Sequence, residues 1–334
     1  MDNLKPSFRE VIIFEMHKGD AQMRIVLSRK GYDSANGGRP SPVFREGCGK
    51  WENRMFSLPI PESDKIGKDE WKNTNTERQW KDIDFPCGFT PEIRKPCKWN
   101  GEEAFVHLDP DIRQVIYDKC PKNWKPAYGQ NDGFVTHIFN CLSSNEKTKC
   151  EILFLFYGLF RDYIMDGKTL KAYGKEYHAI WGYMLSEPRT IDDKIRKEYP
   201  WHPHCKNAFK LAGKSDNNTL FVPQNKTLTI NGNSYPSYGA FKFDDSLCLT
   251  NDKMSASKWK ENALPWFNIG DKKPNMSFHN KASFKDGYFQ SAYPGQEFVV
   301  TIPNIEKETA ITNWLEGLFK FIDYEWNDYD SLNL

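Results

Sequence analysis

Three segments concentrate side chains able to move protons or hold anions. Residues 28–42 read Ser-Arg-Lys-Gly-Tyr-Asp-Ser-Ala-Asn-Gly-Gly-Arg-Pro-Ser-Pro. Lys30 and Arg39 bring positive charge to this stretch, Asp33 a carboxylate, and Ser41 a hydroxyl. Gly31, Gly37 and Gly38 permit positive φ and close backbone approach, so the loop amides can form a nest for an anion. This loop holds no GK[ST] and no GxGxxG that opens a helix, so it is neither a P-loop nor a dinucleotide fingerprint. A turn-rich connection is the competing reading. Trp201-His-Pro-His-Cys205 places His202 and His204 two residues apart. Such a pair can give two metal ligands, but no second Cys/His pair completes a zinc-type set. No metal is expected, and contact of a histidine with phosphate or base is preferred. His107, Asp109 and Asp111 fall near a strand-to-helix junction, where Asp109 suits a helix cap ahead of Pro110 as well as it suits chemistry. Arg161 follows the apolar run Ile152–Phe160. A charge in such surroundings needs an anion or an ion pair, with Asp162 or a more distant carboxylate.

The elements that must position these groups are mostly strands. Met23–Ser28 has a strand pattern that runs straight into the glycine-rich loop, and 1–22 reads as an N-terminal extension. Phe56–Pro61 is a short strand stopped by prolines. Residues 62–100 are charged and rich in Trp and Pro, and read as an insertion with one short helix near Glu77–Lys81. Trp124–Gly133 is expected to be a loop. Glu151–Gly158 and Tyr177–Leu185 are expected strands, with a loop from Asp162 to Gly174 between them. A short charged helix follows at Ile191–Tyr199. The C-terminal third alternates strands and turns, then closes with a helix over Thr309–Asp323. Its Ile311, Trp314, Leu315, Leu318, Phe319 and Ile322 follow helical spacing. These patterns predict an α+β, β-rich single domain over 23–334. A central barrel-like or meander sheet with peripheral helices is expected.

Composition narrows the function classes. The 334 residues carry 46 Lys plus Arg against 45 Asp plus Glu, a net charge of +1. That excludes attachment to nucleic acid by bulk charge, though not a local basic pocket. Aromatics reach 15%, with 11 Trp, which suits a core of large rings and a stacking pocket. No apolar stretch is long enough for a transmembrane helix, no signal-peptide pattern is found, and the 8 Cys include no CxxC. Reduced, structural thiols in a cytoplasmic protein are the expectation.

The ordered motifs resemble the third of the nucleotide modification associated domain families. They are Lys30-Gly-Tyr-Asp-Ser34 with Gly37-Gly38 and Pro40-Ser-Pro42, Ser57–Pro61, His107–Asp111, Phe154–Asp162, His178–Tyr183, His202–His204, Asn218–Val222 and Leu264–Phe267. That family is associated, in bacteria and phages, with systems that make or handle modified, including hypermodified, bases. The resemblance implies a nucleotide-handling protein and marks Lys30, Asp33, Arg39, Ser41, His107, Asp109, Arg161, His178, His202 and His204 as positions to watch. The strand ending at Phe160-Arg161 and the one carrying His178 and Trp181 are also similar to PUA-like and EVE-type modules, whose small barrel holds a flipped base.

Two functions follow as expectations. The first is an enzyme acting on a nucleotide, nucleotide-sugar or modified base. Lys30, Arg39 and Arg161 would hold phosphate beside Gly37, Gly38, Ser41 and His202. Asp33 or Asp109 would serve as general base, and His107, His178 or His204 as acid–base partner. The second is a non-catalytic reader that stacks a base on Phe160, Trp181 and Tyr183, with Arg161 and His178 at its edge. In either case the partner is a nucleotide or modified base, free or in nucleic acid, and not a membrane. No motif names a cofactor or a protein partner.

Overall fold

The fold is a computed structural model that describes residues 23–32, 38–61, 83, 85–91, 106–107, 109–110, 112, 125–139, 150–205, 218–265, 275–276, 283–291, 298–302 and 309–325. The strands are β1 (Met23–Arg29), β2 (Ser41–Phe44), β3 (Arg54–Met55), β4 (Ile60–Pro61), β5 (Val106–His107), β6 (Tyr128–Gln130), β7 (Glu151–Asp166), β8 (Thr169–Thr190) and β9 (Thr219–Pro223). After them come β10 (Leu228–Ile230), β11 (Asn233–Tyr235), β12 (Tyr238–Ala240), β13 (Lys258–Trp259), β14 (Asn275–Met276), β15 (Phe284–Lys285), β16 (Tyr288–Gln290) and β17 (Phe298–Ile302). The helices are α1 (Asp132–Ile138), α2 (Asp193–Glu198) and α3 (Thr309–Phe319).

The spine is the long hairpin β7–β8. Ile152–Phe160 is apolar on both faces, the pattern of a strand covered on both sides, and all its residues are buried. The two strands pair antiparallel from Ile152↔Ser186 to Asp166↔Thr169. Gly167, at φ +63°, opens the two-residue turn between them. Both edges of this ribbon are shared. Along β7, β1 pairs in parallel from Met23↔Glu151 to Arg29↔Tyr157, and β2 pairs in parallel from Ser41↔Phe160 to Phe44↔Tyr163. Along β8, β9 pairs with 186–190 and β12 with 182–184, both antiparallel. The main sheet runs β14-β17-β1-β7-β8-β9-β6, with β2, β3 and β12 off this path.

This mixed sheet is an open meander, and strand pairing does not close it into a barrel among the described residues. It curls nonetheless. Tyr128, on β6 at one end of the order, packs on Phe154 and Phe156 of β7 and Phe221 of β9. Its hydroxyl meets Ser28 Oγ of β1 at 2.9 Å. The inner face of the curl is thus filled by rings. Helix α3 buries Ile311, Leu315, Leu318 and Phe319 against the same core. A second cluster joins Tyr32, Phe44, Phe56, Leu58, Ile83 and Phe89. Residues of the 62–100 stretch therefore contribute to a core.

Several expectations on local structure change. The segment expected as a loop from Asp162 to Gly174 is the distal half of the hairpin. Its polar composition reflects exposure on β8, whose residues 171–176 face solvent. Residues 128–130 are a strand where a loop was expected, and helix α1 begins at Asp132, inside the expected end of that loop at Gly133. Helix α3 stops at Phe319, four residues short of the expected end. The charged helix spans Asp193–Glu198, capped by Asp192, whose carboxylate accepts from the Ile195 amide at 2.8 Å. Residues 1–22 and the helix expected near Glu77–Lys81 lie outside the described residues. No helix among the described residues is long and apolar enough to cross a membrane.

Candidate functional site

Three segments distant in sequence meet around one carboxylate. Asp109 is buried at the start of a short described stretch after β5. The helix expected to follow it lies outside the described residues. Asp109 Oδ1 accepts the Gly129 amide of β6 at 2.8 Å. Lys30 Nζ, just past β1, stands 3.7 Å from Asp109 Oδ2 and 4.2 Å above the Tyr128 ring. Residues alternate along a strand, so Ser28 and Lys30 share the face that meets Tyr128. Arg29 faces the other way, beside His178.

The two histidines come from the 3-10 turn Pro203–Cys205 and the residue before it. His202 Nε2 is 3.7 Å from Asp109 Oδ1, and His204 Nε2 is 3.7 Å from Asp109 Oδ2. Both rings lie over Gly129. A Cβ there would come within 2.4 Å of His204 Cγ and 2.8 Å of His202 Cε1. The glycine in this strand is therefore a requirement of the site.

Hydrogen bonds set the tautomers. The His204 amide donates to His202 Nδ1 at 3.2 Å, so a neutral His202 carries its proton on Nε2, toward Asp109. Asn218 Nδ2 donates to the His204 carbonyl at 3.1 Å, which turns its Oδ1 toward His204 Nδ1 at 2.7 Å. His204 thus holds a proton on Nδ1. Its Nε2 presents a lone pair to Asp109 Oδ2 when the ring is neutral and an N–H when it is charged. Asn218 positions His204 as the outer hydrogen-bond partner positions a catalytic or ligating histidine. The 3.7 Å separations are ion-pair distances, longer than hydrogen bonds. Side-chain exposure is 13% for Lys30 and 7% for His204, against 2% for Asp109 and 1% for His202. Lys30 and His204 are thus the less enclosed of the four side chains. Among the described residues, no group of three or more His, Cys, Asp or Glu is arranged to hold a metal ion.

Other candidates lie elsewhere. His178 is buried on β8, between Tyr157 and Trp259. Its Nδ1 accepts from the Trp259 indole at 2.9 Å. Burial, and then the nearby Arg29, hold its pKa well below the usual histidine range, which favours the neutral ring. Phe160, Trp181 and Tyr183 are buried among other rings. Trp181 packs on Phe156, and Tyr183 on Phe241 and Phe319. None offers an open face for a base. Ser41 is buried and its Oγ accepts the Leu58 amide at 3.0 Å.

Arg161 sits within β7, opposite Pro42 of β2, and not at a strand end. The expected pair with Asp162 does not form, because neighbours on a strand face opposite ways. Asp162 instead accepts from Tyr177 Oη at 2.5 Å and lies 3.6 Å from Arg45 Nε. Gly38 takes φ +89°. Arg39, next to it, lines a separate pocket with Tyr32 and Tyr163. Asp33 and Gly37 lie outside the described residues, as does the side chain of His107, whose backbone pairs with Ile60.

The cluster uses three residues that were not singled out: Tyr128, Gly129 and Asn218. A glycine between Tyr128 and Gln130 was the available signal, since an isolated strand glycine marks close approach by another group.

Comparison with curated proteins and with solved structures finds no match. The family model described as nucleotide modification associated domain 3 matches residues 24–301. That span holds every strand that builds the sheet up to Thr301, and all of Lys30, Asp109, His202 and His204. The chain belongs to the nucleotide modification associated domain 3 family.

Proposed function

We propose that this chain is an enzyme acting on a nucleotide, a nucleotide-sugar or a modified base, with Lys30, Asp109 and His204 as its working groups. One observation carries the reading: a buried carboxylate faced by Lys30 from one distant segment and by His202 and His204 from another. Ionic groups in a buried site seldom improve stability over apolar packing, so such a cluster points to chemistry. Lys30 holds an anionic group of the substrate. His204 Nε2 exchanges a proton with the substrate, and Asp109 stabilises the imidazolium that results. His202, deeper and oriented by the His204 amide, fixes the other carboxylate oxygen.

The test incubates the purified chain with nucleotides, nucleotide-sugars and oligonucleotides with and without modified bases, and follows products by mass spectrometry. Asp109→Asn keeps an acceptor for the Gly129 amide but removes the charge. It and His204→Gln should each lower turnover at least 100-fold, while a ligand still raises the melting temperature. Wild-type turnover in both variants would refute the assignment. Loss of ligand stabilisation, with no turnover in the wild type, would favour a reader.

A further inference from the structure

A second concave site is lined by Tyr32, two residues along the chain from Lys30. It has a volume of about 370 Å³. Its walls include Tyr32, Phe89 and Tyr163, and Arg39, Thr90 and Ala172 also line it. Arg39 is the charged side chain among the described residues that line it. Phe89 and Tyr163 meet edge to face at 5.2 Å.

The site is built, and not merely left over. Gly38 at φ +89° turns the chain into Arg39. Cys87 and Gly88, at φ +56° and +69°, form a tight turn, and the Phe89 amide closes on the Pro86 carbonyl at 2.9 Å. Tyr163 and Ala172 come from the two strands of the distal hairpin, paired directly with one another. Loops thus set the charge and one ring on a rigid ribbon. Arg161 precedes Tyr163 by two residues, on the same face of β7, and its Nε is buried with no hydrogen-bond partner among the described residues.

A pocket with ring walls and one guanidinium selects a planar aromatic ligand bearing an anionic group. Its volume is near the lower end for ligand sites, which favours a mononucleotide over a dinucleotide. We propose that this pocket binds the base and phosphate of a nucleoside monophosphate unit, free or at the end of a larger ligand. The choice of a nucleotide rests on the functional reading above, whereas the aromatic–anion chemistry stands on the pocket itself. Lys30 and Tyr32 flank Gly31, so their Cα atoms lie within about 7 Å. One short chain segment therefore supplies a residue to the pocket and one to the acid–base cluster.

Calorimetric titration of the full chain with a panel of nucleoside 5′-monophosphates, the matching nucleosides and inorganic phosphate tests this. A monophosphate should bind about 10- to 100-fold more tightly than its nucleoside, the range of one charge-assisted hydrogen bond. Arg39→Gln should erase that difference. Ala172→Trp, at an exposed position that tolerates a large side chain, should block both ligands without lowering the melting temperature. Asp109→Asn should leave binding unchanged. Wild-type affinity in both Arg39→Gln and Ala172→Trp would overturn the proposal, and so would no binding by any monophosphate. If those two variants bind normally while Asp109→Asn loses turnover, the pocket assignment fails and the enzyme stands. If they lose binding in a chain that turns nothing over, the pocket stands and the enzyme reading fails.

Discussion

Gly129→Ala tests the site without removing a charge. The new methyl would lie 2.4 Å from His204 Cγ, 2.5 Å from its Cδ2 and 2.8 Å from His202 Cε1, where ordinary contact begins at 3.4 Å. Both imidazoles must retreat by roughly 1 Å, an overpacking that costs about 1–3 kcal/mol. The stiffer unfolded chain offsets about 0.4–1 kcal/mol of this. For 334 residues, an unfolding entropy near 0.7 kcal/mol/K converts the remainder to a melting point lower by up to about 4 °C. Chemistry should suffer far more, since misplacing a catalytic group by about 1 Å costs on the order of 100-fold. The assay pairs thermal melting with NMR of histidine imidazoles in ¹⁵N-labelled protein, where the His202 and His204 resonances should move. Gly133→Ala is the control. Its Cβ meets nothing within 4 Å, and it sits in α1, where alanine gains up to about 1 kcal/mol. If Gly129→Ala keeps both the melting point and the imidazole resonances, the packing of the rings on Gly129 is refuted, and with it the geometry of the cluster.

His178 makes stability depend on pH. Its folded-state pKa is depressed by burial, so below about pH 6.5 the unfolded chain takes up a proton that the folded one refuses. Its contribution is complete above that pH and is lost as pH falls, at up to about 1.4 kcal/mol per unit. Denaturant titrations between pH 4.5 and 6.5 should show a shallower slope for His178→Gln, and equal slopes would refute this. Arg54 is buried and forms a two-point ion pair with Asp323, with Nε to Oδ2 at 2.7 Å and Nη2 to Oδ1 at 3.1 Å. Asp323→Ala should cost about 3–5 kcal/mol of unfolding free energy, and Glu325→Ala, at an exposed position, far less. The Cys48 thiol is pushed up to about 12 by burial and by the neighbouring Cys87 thiol. At pH 8 its alkylation by iodoacetamide should be at least about 100-fold slower than that of an ordinary thiol, as read by peptide mass spectrometry before and after denaturation.

The hairpin spine was legible because Ile152–Phe160 is apolar at every position, a pattern that a strand covered on both faces requires. Its extension to Asp166 and back from Thr169 was hidden, because there the ribbon leaves the core and its residues turn polar. The acid–base cluster was legible in part. Lys30, His202 and His204 stood in segments too rich in polar groups and glycine for a plain connection, and Asp109 stood beside a proline. What joins them is pairing over long sequence distances, between β6 and β9 and between the Gly129 amide and Asp109, which local spacing does not encode. The same limit explains His178, Trp181 and Tyr183. Their types suit a ligand, yet they lie in the stretch of β8 that is buried against neighbouring strands, where the rings pack on one another.

The sharing of one β7 edge by β1 and β2 has a practical consequence for altering ligand choice. Lys30 is tied by its amide to the Tyr157 carbonyl, and Ser41 pairs opposite Phe160. The segment between them therefore leaves and rejoins a single strand at points about 10 Å apart. Its two anchors belong to a continuous, rigid ladder and not to separate moving parts. A replacement segment of different length need only span that fixed gap, and the flanking registers persist on either side. The stretch bearing Tyr32 and Arg39 is in this sense a cassette, exchangeable between relatives as a unit while the framework that holds Lys30 stays in place.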